Sequence, residues 1–203
     1  MATMSETARR LVLASTSPYR AELLGRLHLP FETARPEVDE TPRPHERPEA
    51  MVERLAEAKA RAVADAYPDH LVIGSDQNAS HAGHILGKPG SADRAEAQLA
   101  ALSGETVTFH TGLALLDTAT GQTRSGQVPF TVTFRELTPE EIRRYVALDQ
   151  PLDCAGSFKS EGLGISLFAR MSGDDPTALV GLPLITLGNW LREAGVAIPP
   201  APN

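Results

Sequence analysis

Between Leu11 and Ala194, short apolar runs alternate with stretches of helical period. Leu11-Val12-Leu13-Ala14 is a compact apolar run of the kind that forms a buried strand. Ser17 then stands as an N-cap with Pro18 at the first helical position, and Tyr19 to Leu27 reads as a helix with Leu23, Leu24 and Leu27 on one side. Pro30 to Thr33 reads as a second short strand, and the acidic, proline-rich stretch Glu37 to Pro48 as a loop. Glu49 to Tyr67 carries a long helical pattern, Leu71 to Gly74 a third strand, and Ser91 to Leu102 a helix capped by Ser91 with Gly104 just past its end. Thr106 to Leu116 and Thr123 to Phe134 are two strand-like runs joined by the hairpin loop Asp117 to Gln122. Thr138-Pro139-Glu140-Glu141 has the spacing of a capping box, and Pro183 to Ala194 is the last helix. Strands alternating with helices and then a hairpin predict an α/β domain around a mixed sheet.

The ends lack this pattern. Residues 1–9 are expected to be a flexible N-terminus, 10–195 a single domain, and 196–203 a proline-rich tail that cannot continue a helix. No apolar run approaches the roughly 20 residues that span a bilayer, and the first ten residues lack the apolar centre of a secretory signal. The net charge of −7 argues against a general nucleic-acid binder. A single cysteine, Cys154, excludes an intrachain disulfide. A cytoplasmic protein without nucleic-acid or membrane partners is the expectation.

Four places break the packing pattern. Ser15-Thr16-Ser17-Pro18-Tyr19-Arg20 lies where a strand turns into a helix, so its hydroxyls, free amides and Arg20 suit an anion. A plain strand–cap–helix turn with a surface arginine accounts for the same residues. Lys59 falls on the apolar stripe formed by Val52, Leu55, Val63 and Ala66, and needs either a negative partner or a route for its stem to solvent. Leu71-Val72-Ile73-Gly74-Ser75-Asp76-Gln77 is an apolar strand running into an aspartate, where a carboxylate can bind a metal ion or accept a proton from water. A turn aspartate is the plainer alternative. To this third place belongs Lys88 a little farther on, fixed by the following Pro89 and either aimed rigidly or simply exposed. The glycine-rich stretch Ala155 to Gly164, holding Lys159 and Glu161, is either a ligand loop or a flexible surface loop. The histidines, including His81 and His84 in an expected polar turn, show no metal-ligand spacing with Cys154, and Asp174-Asp175-Pro176 reads as a turn.

Taken in order, these pieces resemble the Maf family of nucleoside triphosphate pyrophosphatases. The resemblance rests on Leu13 to Arg20, on Pro36-Glu37-Val38-Asp39-Glu40, and on Leu55-Ala56-Glu57-Ala58-Lys59-Ala60, followed by Gly74-Ser75-Asp76-Gln77, Gly87-Lys88-Pro89 and Gly181-Leu182-Pro183. It runs from about Leu11 to Ala194. Ser75-Asp76-Gln77 together with Ser157 to Gly162 is similar to the branch acting on 7-methyl-GTP, whereas the branch acting on dTTP and UTP has threonine after the aspartate. Two departures stand out: Tyr19 where that branch has tryptophan, and Asn78-Ala79-Ser80-His81 where it continues the strand with apolar residues.

The resemblance implies a twisted mixed sheet flanked by helices, two lobes with a central cleft, and a homodimer. It implies hydrolysis of 7-methyl-GTP to 7-methyl-GMP and diphosphate with a divalent cation, Mg²⁺ or Mn²⁺. Asp76 would be the catalytic proton acceptor; Tyr19, Gln77 and Glu161 would set base preference; Ser15, Ser17, Arg20, Lys59 and Lys88 would hold the phosphates; Asp76 and Glu40 would hold the metal. The alternatives are a dTTP/UTP pyrophosphatase of the same family and a non-catalytic nucleotide sensor that restrains septum formation.

Overall fold

A computed structural model describes residues 9–201. Its centre is one mixed sheet with strand order β2-β1-β3-β5-β6-β7, and a short β4 pairs with the far end of β3. The strands are β1 (Arg10–Ala14), β2 (Phe31–Ala34), β3 (His70–His81), β4 (His84–Leu86), β5 (Thr106–Asp117), β6 (Thr123–Phe134) and β7 (Phe168–Ser172). β1, β2 and the first half of β3 are parallel, with Ala14 opposite both Ala34 and Gly74. The other pairings are antiparallel. The predicted α/β architecture with a mixed sheet is therefore the observed one.

The helices are α1 (Pro18–Gly25), α2 (Pro48–Val63), α3 (Ala92–Leu102), α4 (Pro139–Asp149), α5 (Pro176–Val180) and α6 (Leu184–Glu193). Their starts follow from local chemistry. The Ser17 and Ser91 hydroxyls accept from the amides of Arg20 and Arg94, each at 3.4 Å. Thr138 and Glu141 form the reciprocal capping box their spacing predicts.

Strand alternation divides the core between two faces. On one face Leu11, Leu13, Leu71, Ile73, Leu113 and Leu115 pack under α1 and α6, with Leu23, Leu24, Leu187 and Trp190 among their buried neighbours. Farther along the sheet, Val107 and Phe109 of β5 and Phe130, Val132 and Phe134 of β6 pack against residues of α3 and α4. On the other face Val12, Ala14, Val72, Ala114 and Leu116 meet Ala56, Ala60 and Val63 of α2. Two glycines allow α2 to lie directly on the sheet: a Cβ on Gly74 would sit 2.0 Å from the Ala56 carbonyl oxygen, and one on Gly112 would sit 2.0 Å from that of Val52.

Several expectations need correction. β3 does not stop near Gly74 but continues to His81, so Asp76 lies within the strand rather than at its end. The polar residues Asn78 and Ser80 are tolerated there because β5 pairs with their backbone and each side chain makes at least one polar contact, although Asn78 Oδ1 is buried without a partner among the described residues. Asn78 Nδ2 donates to the Pro48 carbonyl at 2.8 Å, and Ser80 Oγ lies 3.1 Å from His110 Nε2. His81 and His84 close the β3–β4 hairpin as facing strand residues, the turn itself being Ala82 and Gly83. α2 gives way to a 3₁₀ turn at Ala64–Ala66 instead of running to Tyr67.

The hydrophobic pattern does not announce β4, β7 or α5. Residues 1–8 of the expected flexible N-terminus lie outside the described residues; Arg9 is half-buried and paired with Asp117. In the C-terminal tail, Val196 and Ile198 pack on the core beside α6. Among the described residues, no helix is long and apolar enough to cross a membrane.

Candidate active site

In the parallel part of the sheet, β1 lies between β2 and β3. The connection from β1 to β2 runs through α1 on one face, and that from β2 to β3 through α2 on the other. The carboxyl end of β1 is thus a topological switch point, where connections on opposite faces leave a crevice. A pocket of about 310 Å³ opens there. Ala14 at the end of β1, Ser15, Thr16 and Ser17 of the following loop and Arg20 of α1 line it, with Arg35, Pro36 and Glu40 from the loop after β2 and Lys59 from α2.

Lys59 answers the question its position raises. It is 7% exposed, and its ammonium donates to Asp76 Oδ1 at 2.6 Å and pairs with Glu40 Oε1 at 2.7 Å. Asp76 is 8% exposed, whereas the Glu40 side chain is open to solvent. Burying Lys59 and Asp76 together offsets much of what either charge would cost alone. Because side chains alternate along β3, Asp76 faces α2 while Ser75 and Gln77 face the opposite side.

The β1–α1 loop is equally constrained. Ser15 Oγ accepts from the Ser17 amide at 3.1 Å and from the Arg20 guanidinium at 3.4 Å. Arg20 Nε donates to the Gly181 carbonyl at 2.8 Å, and the Ser75 hydroxyl shares its one proton between that oxygen at 3.0 Å and the Gly112 carbonyl at 2.8 Å. Gly181 has φ +120°, a backbone conformation that suits glycine. Burial pushes the Arg20 guanidinium below its ordinary value, and the nearby charges of Asp76 and Glu40 oppose that shift. Arg20 therefore lies in the field of both carboxylates that flank Lys59.

The turn holding Gly181 is fixed by Asp175, which is 2% exposed. One Asp175 oxygen accepts from the Thr177 amide and hydroxyl, and the other from the Ile185 amide at 2.8 Å. The expected turn aspartate is thus a buried brace that caps α5 and joins it to α6.

The remaining predicted residues lie elsewhere. Gln77 directs its amide nitrogen to Thr111 Oγ1, Ala178 O and Leu179 O at 2.8–3.0 Å. Its donors are committed to α5, which leaves its carbonyl oxygen for any ligand. Tyr19 is 49% exposed on α1. Lys88 and Glu161 are exposed and line neither the pocket nor the Lys59–Asp76 pair; both lie near Cys154. Burial raises the Cys154 thiol, an effect that Lys159 and Lys88 oppose and Glu161 and Asp153 reinforce.

Lys159 serves its own loop. Its amide donates to Tyr145 Oη at 3.0 Å and its ammonium to the Asp149 carbonyl at 2.7 Å, at the end of α4. The neighbouring Phe158 is buried among Phe109, Phe134 and Phe168, so this glycine-rich segment is packed rather than loose. Sequence reasoning missed Arg35, Ser75 and the Gly181 carbonyl. The first is an ordinary exposed arginine until the strands are aligned, and the third is backbone.

Asp76 and Glu40 are the carboxylates available to a divalent cation. Among the described residues, no group of three or more histidine, cysteine, aspartate or glutamate side chains forms a metal cage. Two carboxylates beside an open pocket fit the way Mg²⁺ is commonly held, through one or two carboxylates with the substrate's phosphates completing the shell.

The chain is similar to known proteins over most of its length. The chain is 59% identical over 190 residues to the 7-methyl-GTP pyrophosphatase of Aromatoleum aromaticum, covering 94% of this chain and 98% of that one. It is 58% identical over 189 residues to the 7-methyl-GTP pyrophosphatase of Pseudomonas aeruginosa, covering 93% and 98%. Among solved structures, the Staphylococcus aureus Ham1 protein matches with a TM-score of 0.54 at 13% identity over 92% of this chain and 100% of that one, a likeness of fold alone. Residues 10–194 match the family described as Maf-like protein, and the chain belongs to that family.

Proposed function

We propose that this chain is a nucleoside triphosphate pyrophosphatase that hydrolyses 7-methyl-GTP to 7-methyl-GMP and diphosphate, with residues 10–195 as its catalytic domain. The observation that carries the reading is the buried Lys59 held between Asp76 and Glu40 at the floor of a pocket whose other wall is the Ser15–Arg20 turn. Its closely similar relatives bear the name of this activity.

Water attacks the α-phosphorus, the α–β anhydride bond breaks, and diphosphate leaves with the bridging oxygen. Such a reaction needs in-line positioning and neutralisation of charge more than covalent help. Arg20 and Lys59 supply positive charge at the pocket, and the amides of the Ser15–Ser17 turn add donors. Lys59 holds one Asp76 oxygen, which orients the carboxylate while its second oxygen takes the proton of the attacking water. In the alternative role, Asp76 and Glu40 would hold a divalent cation, which would neutralise phosphate charge and itself favour ionisation of water.

Lys88 extends the phosphate contacts, and Glu161 complements the positive charge of a 7-methylguanine ring. Tyr19, exposed beside the pocket's first turn, stacks on that ring. The Gln77 carbonyl oxygen completes the base contacts. This reading places the enzyme in the cytoplasm, with nucleotides rather than nucleic acid or membrane as its partner, and extends the family resemblance to a homodimer.

The test is a screen for diphosphate release over normal and methylated nucleoside triphosphates, with and without Mg²⁺ or Mn²⁺. Metal-dependent release fastest on 7-methyl-GTP is expected. Preference for UTP or dTTP would move the enzyme to the other branch. Tight nucleotide binding without release would leave only the sensor reading.

A further inference from the structure

We propose that Arg35 clamps the departing diphosphate end of the substrate. This inference deepens the pyrophosphatase reading and rests on it.

The pocket is lined by three cationic side chains, and two of them are already engaged. Lys59 is paired with Asp76 and Glu40, and Arg20 donates to the Gly181 carbonyl and to Ser15. Arg35 is exposed and, among the described residues, makes no hydrogen bond or ion pair. Its guanidinium brings five donors in a planar fork, which matches phosphate oxygens two at a time. A cation that lines an anion-binding pocket without a protein partner is the group best able to take up a ligand charge that the engaged pair cannot.

Register tells which phosphate it meets. Ala14, Ala34 and Gly74 are aligned across β1, β2 and β3, so Ser15 and Arg35 leave neighbouring strand ends, and Asp76 stands on the strand beyond. β2 is two strand spacings from β3, roughly 10 Å. The phosphorus under attack must lie near Asp76. Arg35, on the far side of the Ser15 turn, is placed to reach the phosphates that leave. Its contact holds the triphosphate for attack and slows departure of the diphosphate product.

The test compares wild type with Arg35→Ala and Arg35→Lys. Diphosphate binding is measured by calorimetry, with 7-methyl-GMP titrated in parallel, and the steady-state constants on 7-methyl-GTP are measured alongside. Loss of one charge-assisted contact is expected to weaken diphosphate binding and raise KM about tenfold in Arg35→Ala, with kcat and 7-methyl-GMP binding within about twofold and partial recovery in Arg35→Lys. Unchanged diphosphate binding in Arg35→Ala, or an equal loss for 7-methyl-GMP, would overturn the clamp, as would failure of the wild type to bind diphosphate. Calorimetry needs no turnover. Arg35-dependent diphosphate binding without hydrolysis of any triphosphate would therefore sink the pyrophosphatase reading and leave the clamp standing.

Discussion

Gly74→Ala is the sharpest probe of how the fold holds its site, because it adds one methyl group at the contact between β3 and α2. The new Cβ would lie 2.0 Å from the Ala56 carbonyl oxygen and 2.9 Å from the Ala60 amide nitrogen. Backbone cannot be displaced as a flexible side chain can. Opening 2.0 Å to even 3.0 Å moves the helix by about 1 Å. Lys59 stands between those two contacts. A 1 Å withdrawal stretches its 2.6 Å bond to Asp76 to about 3.6 Å, beyond useful hydrogen-bond range.

Overpacking of this kind costs about 1–3 kcal/mol. For a chain of this size each kcal/mol lowers Tm by about 2–4 °C, so the expected fall is about 2–12 °C. A misplacement of about 1 Å in catalytic geometry is worth about 10²-fold in rate, so kcat for diphosphate release should fall by that order. The assay pairs thermal melts with initial rates, and Gly126→Ala serves as control because its Cβ would meet nothing closer than 3.7 Å. Wild-type melting and turnover in Gly74→Ala would refute the claim that close approach of α2 positions Lys59.

Asp76→Asn should keep the fold while diphosphate release falls at least about 10²-fold, read by initial rates and circular dichroism. Asp175→Ala removes the cap of α5 and leaves the Ile185 amide without its partner; we expect a loss of about 2 kcal/mol, seen in denaturant unfolding, with activity falling as the Gly181 turn loosens. Lys88→Ala should raise KM alike for every nucleotide tested, and a loss confined to one base would contradict a phosphate role. The Thr138 amide, the Arg135 guanidinium and the Thr138 hydroxyl hold the Glu141 carboxyl down to about 2 from its ordinary 4.5. Its stabilisation is therefore complete above about pH 4.5 and lost as pH falls toward 2, so the Tm gap between wild type and Glu141→Gln should close over that window.

The sequence was most legible where structure is local or where a residue violates its pattern. The Thr138–Glu141 box follows from four adjacent residues. Lys59 betrayed itself as a charge on an apolar stripe, because such a charge demands a partner, and the partners are Asp76 and Glu40. The continuation of β3 through Asn78 and Ser80 was hidden because their partners, Pro48 and His110, are remote in sequence. β7 and α5 are five residues each, too short for a period to declare itself. Lys159 looked like a ligand-loop lysine, but its role at the end of α4 depends on tertiary packing. Arg35 acquires meaning only once β1 and β2 are in register.

Arg20 donates to the Gly181 carbonyl, and the Ser75 hydroxyl divides its proton between that oxygen and the Gly112 carbonyl, so two earlier segments lean on one backbone oxygen at residue 181. During synthesis, a nascent polypeptide that has left the ribosome only as far as residue 170 already carries every side chain that lines the pocket. It lacks the acceptor that fixes Arg20, so its guanidinium has yet to find its final orientation. Competence to grip a nucleotide thus arrives late in translation, and a product truncated before Gly181 would be an inert chain bearing a full complement of binding residues.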